Sequence, residues 1–145
     1  MANHCRLSQG TAKAVCDVVV DRCDAGTGAG KLIIYTGTEP SYADDTAGTE
    51  VATCTLPDPA FGAATYDSTN HWAEADLSSN AEDSSATGNA SAVTYFRLTD
   101  SDNGIVLQGT VGTSGCDLNL NSTTIGAGVT VTVTALQVRV PLNQA

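Results

Sequence analysis

The sequence contains few basic residues and few aromatic side chains. Six lysines and arginines stand against 16 aspartates and glutamates among its 145 residues, giving a formal net charge of −10 at pH 7. Nucleic-acid binding depends on Lys and Arg displacing counterions from phosphates, so this balance argues against a DNA or RNA partner. Aromatic residues make up 5% of the chain, which is few for the aromatic platforms that carbohydrate sites usually offer. The acidity would instead keep many copies dispersed in solution.

Long apolar runs are also missing from the sequence. No run approaches the roughly 20 residues needed to span a bilayer, so we expect no membrane partner. The polar stretch through Lys13 lacks the apolar segment of a signal peptide. We therefore expect synthesis and retention in a cytoplasm until assembly.

Residues that carry catalytic or metal chemistry are scarce and badly spaced. Neither His4 nor His71 has a partner at the spacing of a metal site or a catalytic triad, and no two cysteines form a C-x-x-C pair. The odd number of cysteines predicts small buried side chains and one or two free thiols, rather than a disulfide framework. We therefore expect no enzyme activity, no cofactor, no metal and no small-molecule substrate. The cysteines are Cys5, Cys16, Cys23, Cys54 and Cys116.

Two glycine-containing loops imitate ligand-binding motifs without matching them. The run that ends in Gly30 and Lys31 has Ala25 where a phosphate-binding loop needs Gly, and Leu32 where it needs Ser or Thr. Residues 100–104 (DSDNG) depart from the calcium-loop spacing of Gly and Glu. Their Asn-Gly pair instead predicts the turn of a β-hairpin.

The first part of the chain has the pattern of a capped helix. Ser8 is a candidate N-cap for a helix that runs to about Arg22. We interpret residues 1–24 as an N-terminal arm or helix outside the β-domain. The apolar stripe of helical period consists of Ala12, Val15, Cys16, Val19 and Cys23.

The remainder, residues 25–145, has the pattern of a β-domain. Alternating or buried strands are predicted at 31–36, 50–56, 90–99, 104–111, 117–120 and 129–140. Phe61 is expected to tuck inward from a turn, and Tyr66 and Trp72 to act as packing anchors. The apolar phase of the final strand shifts near Leu136, which predicts a bulge or bend there. The fold class is therefore mainly β, an antiparallel, jelly-roll-like β-sandwich of roughly seven or eight strands.

Residues 31–40 (KLIIYTGTEP) resemble the K-I-Y-T-G-x-x-P segment of a family of small virion structural proteins of tailed bacteriophages. The likeness continues through residues 56–62, 96–102, 109–115 and 117–122, although the cysteines are not part of it. The resemblance implies a capsid cement, or decoration, protein on the surface of the virion, made in the host cytoplasm. It would bind the major capsid protein, associate as a homotrimer and stabilise the shell against internal DNA pressure. A tail, fibre or neck component that contributes to host adhesion is the alternative.

Two segments are the candidates for contacts with sister subunits or with the shell. One is the N-terminal arm, residues 2–22, and the other is the bent part of the last strand, residues 136–140. The candidate side chains are Leu7, Val15, Val19, Leu136, Val138 and Val140.

Overall fold

The structure, a computed structural model, describes residues 5–142. His4, the start of the predicted arm and the last three residues of the predicted β-domain lie outside the described part. Helix α1 spans Gln9–Asp21 and is followed by a 3-10 turn, Arg22–Asp24. The predicted N-cap is confirmed, because the Oγ of Ser8 accepts a hydrogen bond of 3.2 Å from the N–H of Thr11.

The buried face of α1 differs from the predicted stripe. Ala12, Cys16 and Val20 are buried, whereas Val15 is 40% exposed and Val19 is half-buried. Val15, one member of the apolar stripe, thus lies outside the buried face. The core-facing row runs i, i+4, i+8 because α1 contacts strands of the smaller sheet, and the same hydrophobic cluster holds both. The helix is thus packed into the core rather than lying outside the β-domain.

The ten strands form a sheet of seven and a sheet of three. The large sheet has the order β8-β7-β6-β1-β2-β5-β9 and the small sheet has the order β10-β4-β3. Every pairing is antiparallel except that of β7 with β8. The predicted mainly β sandwich with an N-terminal helix is confirmed. The strands are β1 Lys31–Thr36, β2 Thr49–Thr55, β3 Thr65–Asp67, β4 Trp72–Asp76, β5 Ala81–Asp83, β6 Val93–Thr99, β7 Ile105–Gly112, β8 Leu118–Asn119, β9 Val131–Val133 and β10 Gln137–Pro141.

Both faces of the centre of the large sheet are buried. The pairs Leu32↔Leu98 and Ile34↔Phe96 point into the main hydrophobic core. The intervening residues of β1 and β6 point to the opposite face, where residues 37–48 cover them. This double burial explains why β1 has an almost continuous apolar sequence rather than an alternating one.

The hairpin between β6 and β7 is confirmed. Asn103 has φ of 68°, which is the left-handed conformation that this turn requires. The Asp100 carboxylate accepts hydrogen bonds from the N–H groups of Asp102 and Gly104, at 2.9 and 2.6 Å. Phe61 is also buried, as predicted.

The predicted final strand, residues 129–140, is two strands in different sheets. The chain leaves the large sheet after β9, crosses at residues 134–136 and enters the small sheet as β10. Leu136 is 4% exposed and is buried at the crossing, whereas Val129 precedes β9 and is 45% exposed. The shift of apolar phase thus marks a bend at which the strand changes sheet, and the prediction of one continuous strand is wrong.

Candidate interaction surface

Strand β10 has one open edge. It pairs with β4 on one side, where the N–H of Leu77 donates to the C=O of Leu136 and the N–H of Leu142 donates to the C=O of His71. Antiparallel ladders alternate bonded and non-bonded pairs, so the N–H and C=O groups of Gln137 and Arg139 point away from β4. Within residues 5–142, no hydrogen bond to these main-chain groups is present on the open side.

A groove runs along this edge. Its larger part is a cavity of about 520 Å³. A smaller part of about 210 Å³ continues over Phe96, Leu107 and Gly109 on the inner side of the large sheet. We call the whole the free-edge groove, lined by Asp76, Gln137 and Arg139 of the small sheet and by Cys116, Asp117 and Asn119 at β8.

The two carboxylates of the free-edge groove are held in place by neutral donors. One oxygen of Asp117 accepts hydrogen bonds from the N–H and the hydroxyl of Thr110, both at 2.8 Å. One oxygen of Asp76 accepts a 2.7 Å hydrogen bond from the Gln137 amide. No cation of the described chain lies within ion-pair distance of either carboxylate.

Arg139, the cation at the groove, is held on the outer face of the small sheet. Its guanidinium lies 4.5 Å from the centre of the Trp72 ring, and its Nε is 3.6 Å from a Glu74 oxygen. The Trp72 indole N–H donates to the same Glu74 oxygen at 2.8 Å. Trp72 is therefore half-buried on an outer face rather than a core anchor. Tyr66 is also half-buried, and its hydroxyl is hydrogen-bonded to His71.

The strand β4 that carries this cluster could have been found in the sequence. Residues 72–76 read W-A-E-A-D, and the two alanines are fully buried while the residues between them face outward. This period of two is typical of a strand with one buried face. The groove itself had no such signal, because Asp76 and Asp117 are distant in the chain.

Most of the predicted contact residues are buried or half-buried in the folded protein. Leu136 belongs to the core, and the half-buried side chains of Leu7, Val138 and Val140 pack against it. The accessible groups of the open edge are its main-chain groups and the exposed side chains of Gln137 and Arg139. Of the two predicted contacts on α1, Val19 is half-buried and Val15 is exposed beside Val18, which is 65% exposed.

The thiols have the predicted character of small buried side chains with two more accessible ones. Cys16, Cys23 and Cys54 are buried, Cys5 is exposed and Cys116 is half-exposed at the free-edge groove; none forms a disulfide. Burial raises the pKa of Cys23 and of Cys54 to about 12, so neither is a nucleophile at neutral pH.

Several carboxylates accept hydrogen bonds from the backbone N–H groups of loop residues. Asp17 accepts from Ala64 at 2.6 Å, and Asp24 accepts from Ala60 at 2.8 Å. Asp67 accepts from Asn70 and Thr69, which lowers the pKa of its carboxyl.

In residues 5–142, no three His, Cys, Asp or Glu side chains are grouped so that they could hold a metal ion. The described part also lacks a helix long and apolar enough to cross a bilayer.

Comparisons with protein-family models, with curated proteins and with solved structures find no match.

Proposed function

We propose that this protein is a non-enzymatic structural protein of a bacteriophage virion, a capsid cement protein that binds the outside of the assembled shell. It would be made in the host cytoplasm and associate into homotrimers. The segment resemblance centred on residues 31–40 supports the virion context. The observation that carries the attachment role is a closed core on which the edge of strand β10 is left open beside the free-edge groove.

The closed body supports a structural role. Among the described residues, the hydroxyl of Thr99 is the one buried side-chain polar atom without a hydrogen-bond partner. Within residues 5–142, the carboxylates of Asp17, Asp24 and Asp100 accept hydrogen bonds from backbone N–H groups of loop residues. Side chains are thus used to hold loops against strands, as a protein exposed on the outside of a particle requires.

The physical basis of cementing is mass action. A protein that binds the assembled shell, and not its free subunits, shifts the equilibrium toward the assembled state. Many copies that each make modest contacts add to the stability of the particle. The major capsid protein is the proposed partner.

The experiment is to add the purified protein to expanded shells that lack it. We expect saturable binding with copies on the order of hundreds per shell, in line with shell symmetry, and rupture of DNA-filled shells at a higher temperature. Free major capsid protein and unexpanded shells are the controls, and neither should bind. Absence of the protein from purified virions would refute the proposal, and a few copies located at the tail would assign it to the tail, fibre or neck instead.

A further inference from the structure

We propose that the free-edge groove receives an extended, basic segment of a partner polypeptide, which adds to the small sheet as a fourth strand beside β10. The identification of the donor as the major capsid protein rests on the proposed function. The strand addition itself rests on the backbone, the apolar floor and the charge of the groove.

The backbone of β10 is ready for another strand. Gln137 and Arg139 direct their N–H and C=O groups to the open side, as deduced from the bonded pairs that flank β10. Exposed edges of this kind are templates for strand addition unless the protein blocks them. Pro141 lacks an N–H and ends the template at one side.

The floor of the groove has apolar surface left to cover. A sheet of three strands faces a sheet of seven. Leu107 shares its face with Leu98, yet it is only half-buried beside β10. In a strand added to β10, every second side chain would turn toward the inner face, where Leu107 lies. Hydrophobic contact would favour apolar residues at those positions.

The charge of the groove selects a basic segment. Asp76 and Asp117 lie in the groove with no cation within ion-pair distance, because Arg139, which also lines the groove, is held by Trp72, Glu74 and Gln137. A Lys or Arg in the incoming strand would supply the missing positive charge. A second copy of this chain is a poorer occupant, because each copy carries a net charge of −10 and the same acidic groove.

The first test is selection of random displayed peptides of about ten residues, the upper length of an ordinary strand, on the purified protein. We expect the enriched peptides to alternate apolar and polar residues and to carry Lys or Arg. In amide NMR spectra, binding should shift and protect the N–H groups of Gln137 and Arg139. Enrichment of acidic or neutral peptides, shifts confined to other edges, or no enrichment would each overturn the proposal.

The second test separates the backbone from the side chain at one position. Gln137→Pro removes an N–H on the open side without removing one that bonds to β4, whereas Gln137→Ala removes the side chain alone. We expect Gln137→Pro to weaken binding of the selected peptide about tenfold or more. Gln137→Ala should change it by about twofold or less. Equal affinities for the two variants would count against strand addition.

The third test removes charge and keeps one acceptor oxygen on each side chain, and it stays informative if Gln137→Pro fails to fold. Asp76→Asn with Asp117→Asn should weaken peptide binding by about five- to tenfold at low salt. The matched control is Asp21→Asn with Asp44→Asn, the same change of charge at exposed positions outside the groove. An equal loss in both double variants would mean a general charge effect and no acidic site.

The inference and the proposed function can fail separately. If shells bind the protein but Gln137→Pro and the Asp76/Asp117 variant bind them normally, the cement role stands and the inference is wrong. If peptides bind as expected but shells do not, the groove is a strand-addition site and the cement role is wrong. Salt-sensitive dimers of this chain joined through β10 would show that a second copy is the occupant, which also overturns the inference.

Discussion

Arg97 is a buried charged side chain that has no carboxylate partner among residues 5–142. It is 4% exposed, and its Nη2 donates at 2.7 Å to the backbone carbonyl of Asp45. Its guanidinium lies 5.9 and 6.0 Å from the ring centres of Tyr35 and Tyr95, which stack on one another at 5.1 Å. A carbonyl dipole and two aromatic faces thus take the place of an anion. Arg97 fastens residues 37–48 to the outer face of the large sheet.

We predict that Arg97→Met loosens this segment. The change leaves the Asp45 carbonyl without its donor and should lower the free energy of unfolding by about 1–3 kcal/mol. Tyr42 is 73% exposed in the segment, so chymotrypsin should cleave after Tyr42 faster in the variant. Arg97→Lys keeps the charge but loses the planar guanidinium, so its cleavage rate should lie between that of the unmodified protein and that of Arg97→Met. Equal cleavage rates for all three proteins would contradict this account.

The buried thiols make stability depend on pH in the alkaline range. Burial raises the pKa of Cys23 and Cys54 from 9.0 to about 12 in the folded protein. Well below pH 9 the thiols are mostly protonated in both states and contribute no pH dependence to stability. Above pH 9 the unfolded chain loses protons that the folded chain retains, so stability falls as pH rises toward 12.

We expect the reduced protein to lose about 1 kcal/mol of unfolding free energy per buried thiol between pH 8 and pH 9.5. Urea unfolding at the two pH values, with reductant present, measures the loss. A double variant, Cys23→Ala with Cys54→Ala, is the control and should lose most of this dependence, even though it is less stable at pH 8. An unchanged alkaline decrease in that variant would assign the effect to other groups.

At the scale of elements, local chemistry predicted the helix and the hairpin well. Ser8 and the Asn103-Gly104 pair act through their own backbone neighbours, so their effect is visible in the sequence. The buried face of α1 was harder to predict, because residues 18–20 are all valine. Three successive helix positions that face different directions are therefore equally apolar. The position of the helix on the small sheet selects Val20, and this contact is tertiary.

Two short strands, β3 and β5, and the groove were missed in the sequence. Both omissions have the same physical reason. Strands β3 and β5 have three residues each and depend on neighbouring strands rather than on their own propensity, whereas the short β8 lies within the predicted strand 117–120. The segment of β10 was recognised as a contact candidate. Its open edge was not, because an edge is defined by the strands beside it.

Two glycines at the ends of elements give opposite predictions for the same substitution. A Cβ at Gly30, just before β1, would lie 2.4 Å from the Cys23 carbonyl oxygen and 2.5 Å from that of Thr99. Gly30→Ala should therefore destabilise the protein by about 1–3 kcal/mol. Gly10, in the first turn of α1, has no atom within 4 Å of such a Cβ, so Gly10→Ala should stabilise it by about 0.5 kcal/mol. Urea unfolding of both variants is the measurement, and changes of the same sign would contradict it.

At the scale of the whole molecule, charge repulsion is the dominant electrostatic feature. The net charge is −10, and the described residues contain one ion pair, Arg139 with Glu74. We expect the thermal midpoint to rise when NaCl increases from about 0.01 to 0.5 M, because screening weakens the repulsion. The control is the same titration near the sequence pI of 4.2, where the rise should largely vanish. A midpoint that falls with salt at pH 7 would show that attractive pairs outweigh repulsion.

The N–H of Leu7 donates at 3.0 Å to the C=O of Leu142, so the chain enters and leaves the body side by side. A mechanical load applied through both ends would therefore act first on the Leu7–Leu142 hydrogen bond and then break the neighbouring contacts one after another. The first part to yield would be the contact of α1 with β10. The central strands of the large sheet lie away from this line of force, so they would stay assembled while the ends separate.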